Sequence, residues 1–159
     1  MKAYLDIETT YDGQISVVGI HIPGRDIVQL TGGEVTDLNL SRALDGVETL
    51  VTFNGACFDL PVIRRVTGLD LCDITSHRDL LAVCRGRGIR GGLKRVEALF
   101  GIQRTAGVVD GKYAPHLWHR WETAADEEAL GQLLADHRDD CVNLEILENI
   151  LDGLEGEES

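Results

Sequence analysis

The sequence predicts an α/β domain layered around a mixed sheet, and three observations carry that expectation. The first thirty residues hold short runs of β-branched and apolar residues separated by turn signals, the pattern of a strand meander. The apolar run Thr49-Leu50-Val51-Thr52-Phe53 then suits a buried strand between helices. Finally, residues 126–151 form the longest helical stretch, with Leu130, Leu133, Leu134, Cys141, Leu144, Leu147 and Leu151 on one face. A meander, a helix, a further strand and more helices give layers packed on a sheet.

Taken in order, residues 1–8 read as the first strand, and Tyr11-Asp12-Gly13 as a turn. Residues 14–22 make a second strand through Ile15, Val17, Val18, Ile20 and Ile22. Pro23-Gly24 turns the chain into a third over residues 26–30. Thr36 is placed to cap a short helix through Leu44. The run at residues 49–53 stops at Asn54-Gly55, and Asp59 and Pro61 suit the first turn of a helix that Gly68 ends. Residues 69–80 contain a short strand or turn ending near His77-Arg78-Asp79. Gly86, Gly88, Gly91 and Gly92 read as a flexible loop among arginines. Leu93, Val96, Leu99 and Phe100 are apolar at helical spacing, and Gly101 stops that helix. Residues 103–111 read as loop, residues 114–121 as helix anchored by Leu117, Trp118 and Trp121, and residues 153–159 as an acidic frayed tail. The domain is expected over residues 1–152.

A chain of 159 residues is long enough for one full core. No apolar run approaches membrane-spanning length, and no signal peptide opens the chain, so a cytoplasmic protein with no membrane contact is expected. Cys57, Cys72, Cys84 and Cys141 form no C-x-x-C pair and read as reduced thiols. A net charge of −12 argues against a generic nucleic-acid-binding surface, but carboxylates gathered at a metal site count as negative until the metal binds. Positive charge is concentrated at Arg85, Arg87, Arg90, Lys94 and Arg95, with no acid among them.

Asp6 and Glu8 stand two residues apart in the first strand, so both project from one face. Two neighbouring carboxylates repel and resist burial unless a cation or a shared proton compensates. A hard divalent cation such as Mg²⁺ or Mn²⁺ answers that need; a strand end entering a turn, with both acids in water, remains the plain alternative. Asp59 follows the later buried strand, and Asp136, Asp139 and Asp140 lie on the last helix. In an open α/β sheet such positions can converge on one crevice. Four acids meeting there would hold two divalent cations about 4 Å apart, the clamp used on phosphoryl groups.

Three segments carry a resemblance. Asp6-Ile7-Glu8-Thr9 looks like a D-x-E-T motif, Asn54-Gly55-Ala56-Cys57-Phe58-Asp59 like N-G-x-x-F-D, and Asp140-Cys141-Val142-Asn143-Leu144 like a helical D-x-x-x-L. Together, in this order, they resemble the DEDD 3′–5′ exonucleases of the RNase H-like superfamily. His77-Arg78-Asp79-Leu80-Leu81 and Leu93-Lys94-Arg95-Val96-Glu97 are similar to segments of the bacterial YprB-type RNase H-like domain.

The resemblance implies an RNase H-like fold: a mixed sheet of about five strands with helices on both faces. It implies that Asp6, Glu8 and Asp140 bind one metal, while Asp6 bridges to a second held by Asp59. Thr9, Asn54, Phe58, Arg90 and Lys94 would face the substrate, single-stranded RNA or DNA. The family has Tyr four residues, or His five, before its last metal-binding Asp. Those positions are Asp136 and Ala135 here, with His137 three before. Asp136 and His137 both share roughly the face of Asp140, and His137 has the better intrinsic pKa for a general base.

Single residues also have plainer readings. Asp59 suits a helix start, Asn54 a turn, and Asp139 a solvent-facing charge. Trp118 and Trp121 suit core anchors, and Cys141 a small core residue. Three functions follow: a metal-dependent 3′–5′ exonuclease, a catalytically weak or inactive binding module, or another phosphoryl-transfer enzyme such as an endonuclease.

Overall fold

The antiparallel meander forms from the apolar and β-branched runs that the turn signals separate. β1 (Lys2–Thr9) pairs with β2 (Ile15–His21), and β2 with β3 (Val28–Thr31), in a computed structural model that describes residues 1–107 and 109–158. Val108 of the expected loop and Ser159 of the expected tail lie outside the described residues. On the other side of β1, β4 (Thr49–Thr52) and then β5 (Ser76–Asp79) add in parallel, giving the order β3-β2-β1-β4-β5. β1 is therefore the middle strand, with neighbours on both edges.

Alternation along β1 sends successive side chains to two different cores. Ala3, Leu5 and Ile7 pack with Leu50 of β4, with Leu40 of α1 (Asp37–Ala43), and with Leu60 and Ile63 of α2 (Asp59–Thr67). Tyr4 points the other way. It packs with Val51, with Leu80 and Cys84 of α3 (Leu80–Gly86), with Val96 of α4 (Leu93–Phe100), and with Leu144, Leu147 and Leu151 of α6 (Glu127–Glu158). A third cluster joins Val17 of β2 to Leu117 and Trp118 of α5 (Ala114–Ala124) and to Leu133 of α6. Helices thus cover both faces of a five-strand mixed sheet, the RNase H-like architecture that the resemblance implies. Asp6 and Glu8 continue the Tyr4 side of β1 and face α6. No helix among the described residues is long and apolar enough to cross a membrane.

Helix ends follow local chemistry. Thr36 accepts from the Asn39 amide at the start of α1. Gly68 and Gly101 close α2 and α4 in the left-handed conformation.

Two elements depart from the sequence reading. Residues 80–86 form α3 and not the approach to a loop: Asp79 caps it by accepting from the Leu81 amide, and Leu80, Leu81 and Cys84 bury one face. α6 also continues past Leu151 to Glu158, where a frayed tail was expected. Arg78 holds Asp152 at 2.8 Å and Arg87 holds Glu158 at 3.2 Å, so the acidic end is fastened by basic residues.

Candidate metal centre

The three motifs meet on the α6 side of β1. Asp6 and Glu8 project from the strand, and Asp140 comes from α6, which crosses above it. One carboxylate oxygen of each lies within 4.8 Å of the others. The crossing is close because Gly19, which pairs with Asp6 in β2, has no side chain. A Cβ there would collide with Cys141 Sγ and His137 Cε1 of α6.

The acids border a cleft of about 360 Å³. Asn54, Phe58 and Asp59 form one wall, and Gly92, Leu93, Lys94 and Arg95 another. Asn54 adopts φ +66°, a left-handed turn conformation, and Asp79 pins this turn by accepting from the Asn54 and Ala56 amides at 2.8 and 3.2 Å. Phe58 is exposed.

Asp59 stands beside the three-acid group and outside it. It is 2% exposed, and its Oδ1 accepts the Ile7 amide at 3.0 Å. Thr9 ends β1 after a register shift and does not line the cleft. Arg90 lines an adjoining groove of about 480 Å³ with Arg85. Cleft and groove share Phe53, Asn54, Gly92 and Leu93, so they are continuous. Arg85, Arg90 and Arg95 are exposed and make no ion pair among the described residues.

Crowded carboxylates in a dry place hold protons more tightly. Burial, then the charge of Asp6, pushes Glu8 up to about 8 and Asp140 up to about 6. Burial and Asp6 likewise push Asp59 well above the usual aspartate range. Hard oxygen donors that repel one another in this way fit a divalent cation such as Mg²⁺ or Mn²⁺. A buried acidic cluster of this kind is what the divalent-ion expectation requires.

The two candidates for the general base lie elsewhere than at the cleft surface. Asp136 is buried and engaged: its Oδ1 accepts from Arg104 Nη2 at 2.8 Å and from the Val109 amide at 2.9 Å. Its Oδ2 lies 3.5 Å from Lys94 Nζ. His137 is 0% exposed and sits behind Asp6, with Nε2 3.1 Å from the Asp6 carbonyl and 3.4 Å from its Oδ2. Burial disfavours the charged imidazole, while Cys141 and Asp6 raise its pKa overall. Gln29 argues the other way: it donates to the Leu134 carbonyl and lies 3.2 Å from Nδ1. Its amide nitrogen is thus a donor, and Nδ1 must accept, which requires the neutral ring. Two donors cannot share this hydrogen bond, so the ring is neutral, with Nε2–H donating to the Asp6 carbonyl. Either way, both ring nitrogens are occupied.

Asp139 is not a solvent-facing charge. It is buried and accepts from Thr105 Oγ1 at 2.7 Å and the Ala106 amide at 2.9 Å. Arg104 was not singled out from the sequence. It donates to both oxygens of Glu97, to Asp140 Oδ1 at 2.9 Å, and to the side chain and carbonyl of Asp136. The only trace in the sequence is the excess of acids at Asp136, Asp139 and Asp140, which cannot all be buried without counter-charge. Trp118 and Cys141 lie in the core, as their plain readings expect.

No curated protein matches the chain. A family model does: RNase_H_2, described as RNase_H superfamily, matches residues 3–152, nearly the whole chain and all three motifs. The chain therefore belongs to the RNase H superfamily, whose nucleases use divalent metal ions on nucleic-acid substrates.

Proposed function

We propose that the protein is a 3′–5′ exonuclease acting on single-stranded ends of RNA or DNA. The observation that carries this reading is the convergence of Asp6, Glu8 and Asp140 at the floor of an open cleft. In this reading Asp6, Glu8 and Asp140 hold one divalent ion, Mg²⁺ or Mn²⁺, and Asp6 with Asp59 holds a second. Held there, divalent ions would supply the charge that activates a water and stabilises a departing 3′ oxygen. Asn54 and Phe58 receive the terminal nucleotide, and Thr9 shapes the end of β1 beside it. Lys94 and Arg90 hold phosphates, with the strand running from the cleft into the Arg85–Arg90 groove. His137 fixes the orientation of Asp6 from behind. Asp136, held by Arg104 and Lys94, organises the opposite side. Four free thiols fit a reducing, cytoplasmic setting.

One observation favours a second reading. The position where the exonucleases carry Tyr is Asp136, which is spent on ion pairs, and His137 is sealed behind Asp6. A module that binds nucleic acid with little or no cleavage would tolerate this.

A single assay separates these readings. Single strands labelled at the 3′ or 5′ end are incubated with protein in Mn²⁺ or Mg²⁺, beside Asp6→Asn and Asp140→Asn. Stepwise shortening from the 3′ end, dependent on metal and lost in both variants, is the expected result. Binding without shortening establishes the module, and internal cuts establish an endonuclease.

A further inference from the structure

Two cationic side chains reach Asp140, and they are built differently. Arg104 is 9% exposed and fixed on several sides: Glu97 takes Nη1 through both oxygens, and Asp136 takes Nη2 through its carboxylate and its carbonyl. Lys94 is 29% exposed, lines the cleft, and among the described residues pairs with Asp136 and Asp140 alone. Its ammonium spans both oxygens of Asp140, at 3.2 and 3.5 Å, while Arg104 also occupies Oδ1. A divalent ion arriving at Asp140 therefore meets the Lys94 ammonium beside both carboxylate oxygens. Like charges at such separations repel strongly in a partly buried site. Lysine is a compact charge on a flexible stem with three rotatable donors, whereas the arginine fork is planar and held at several points.

We propose that Lys94 is handed from Asp140 to a substrate phosphate as a divalent ion takes the carboxylate, while Arg104 stays in place and keeps Asp140 aimed at Asp6 and Glu8. Lys94 is then the resident counter-ion of the resting site and a substrate-binding residue of the loaded one. Arg104 is a positioning residue. The inference rests on the nuclease reading for the phosphate but not for the exchange at Asp140. Because metal and phosphate each free the other's partner, their binding is coupled through Lys94, and such coupling is reciprocal.

The test reads metal affinity directly, without turnover. Mn²⁺ binding is followed by electron paramagnetic resonance for wild type, Lys94→Met, Arg104→Met, Arg104→Lys and Arg120→Met. Arg120 pairs with Asp126 outside the cleft, so its variant reports the effect of net charge alone. Lys94→Met is expected to tighten Mn²⁺ binding roughly tenfold. Arg104→Met is expected to weaken it by a similar factor, with partial rescue by Arg104→Lys. Thermal melts accompany each variant; should Arg104→Met fail to fold, Lys94→Met and Arg104→Lys carry the comparison.

In a second measurement, fluorescence anisotropy with a labelled single-stranded oligonucleotide, Ca²⁺ should strengthen binding to wild type. That enhancement should shrink several-fold in Lys94→Met, and an enhancement as large as wild type's overturns the hand-over to phosphate. Unchanged or weaker Mn²⁺ binding in Lys94→Met overturns the proposal, as does tighter binding in Arg104→Met, which would make both residues simple counter-charges. A shift in Arg120→Met as large as that in Lys94→Met also overturns it. Metal exchange as described, in a protein that shortens no strand, sinks the nuclease reading and leaves the exchange at Asp140 standing.

Discussion

At Glu148 the chain buries a carboxylate among three donors. Tyr4 Oη lies at 2.7 Å, Arg78 Nη1 at 2.6 Å and Lys2 Nζ at 3.1 Å, so one side chain of α6 ties together β1 and β5. Burial alone would raise its pKa, but the hydrogen bonds from Tyr4, Lys2 and Arg78 outweigh burial and hold it below the ordinary glutamate value of 4.5. A depressed folded pKa means that the unfolded chain takes up the proton first. The stabilisation is complete above about pH 4.5 and is lost as pH falls through the folded value. Glu148→Gln should cost about 1–3 kcal/mol at neutral pH in urea denaturation. It should also flatten the loss of stability between neutral pH and the acid side of pH 4.5. An unchanged acid limb in the variant would show that other carboxylates set it. At this scale the sequence displayed the acids but not their partners. Asp6, Glu8 and Asp140 were legible because motif spacing marks them. Asp139 was misread because nothing local announces that Thr105 and Ala106 reach it. Arg104 had no pattern to betray it.

Elements show a different boundary between the legible and the hidden. β1 to β3, β4 and α6 could be read locally, since apolar and β-branched runs between turn signals and the leucine face are local properties. α3 was hidden because its seven residues sit between a strand and a run of glycines, too short for periodicity to speak. The last turns of α6 were hidden because their support comes from Arg78 and Arg87, far away along the chain. The approach of α6 to the sheet depends on Gly19, which reads as an ordinary strand glycine. Adding one methyl there should force α6 outward and cost about 1–3 kcal/mol by overpacking. Since α6 carries Asp140 and His137, Gly19→Ala should also weaken Mn²⁺ binding, measured by the same resonance titration beside a thermal melt. A variant that melts lower yet binds Mn²⁺ as wild type does would show that the cluster does not depend on this close crossing.

For the whole molecule, the charge of −12 sets how nucleic acid can approach. The basic stretch at residues 85–95 is not one patch. Arg87 turns to Glu158 at the end of α6, Lys94 turns inward to Asp140, and Arg85, Arg90 and Arg95 make no ion pair among the described residues and lie along the groove and cleft. A net negative charge of this size repels a polyanion, and in the proposed reading contact falls on the phosphates that Arg85, Arg90, Lys94 and Arg95 can reach. Each phosphate neutralised on a single strand contributes roughly −0.7 to the slope of log K against log salt. Four contacts therefore predict a slope of about −3, shallow for a nucleic-acid-binding protein. Anisotropy titrations of a labelled single strand in Ca²⁺ over a range of KCl concentrations measure it. Arg85→Ala and Arg90→Ala should each flatten the slope by about 0.7 while leaving the melting temperature in place, because neither arginine has an ion-pair partner among the described residues. A slope twice as steep would require basic contacts beyond this groove, and would move the path of the strand to another face of the domain.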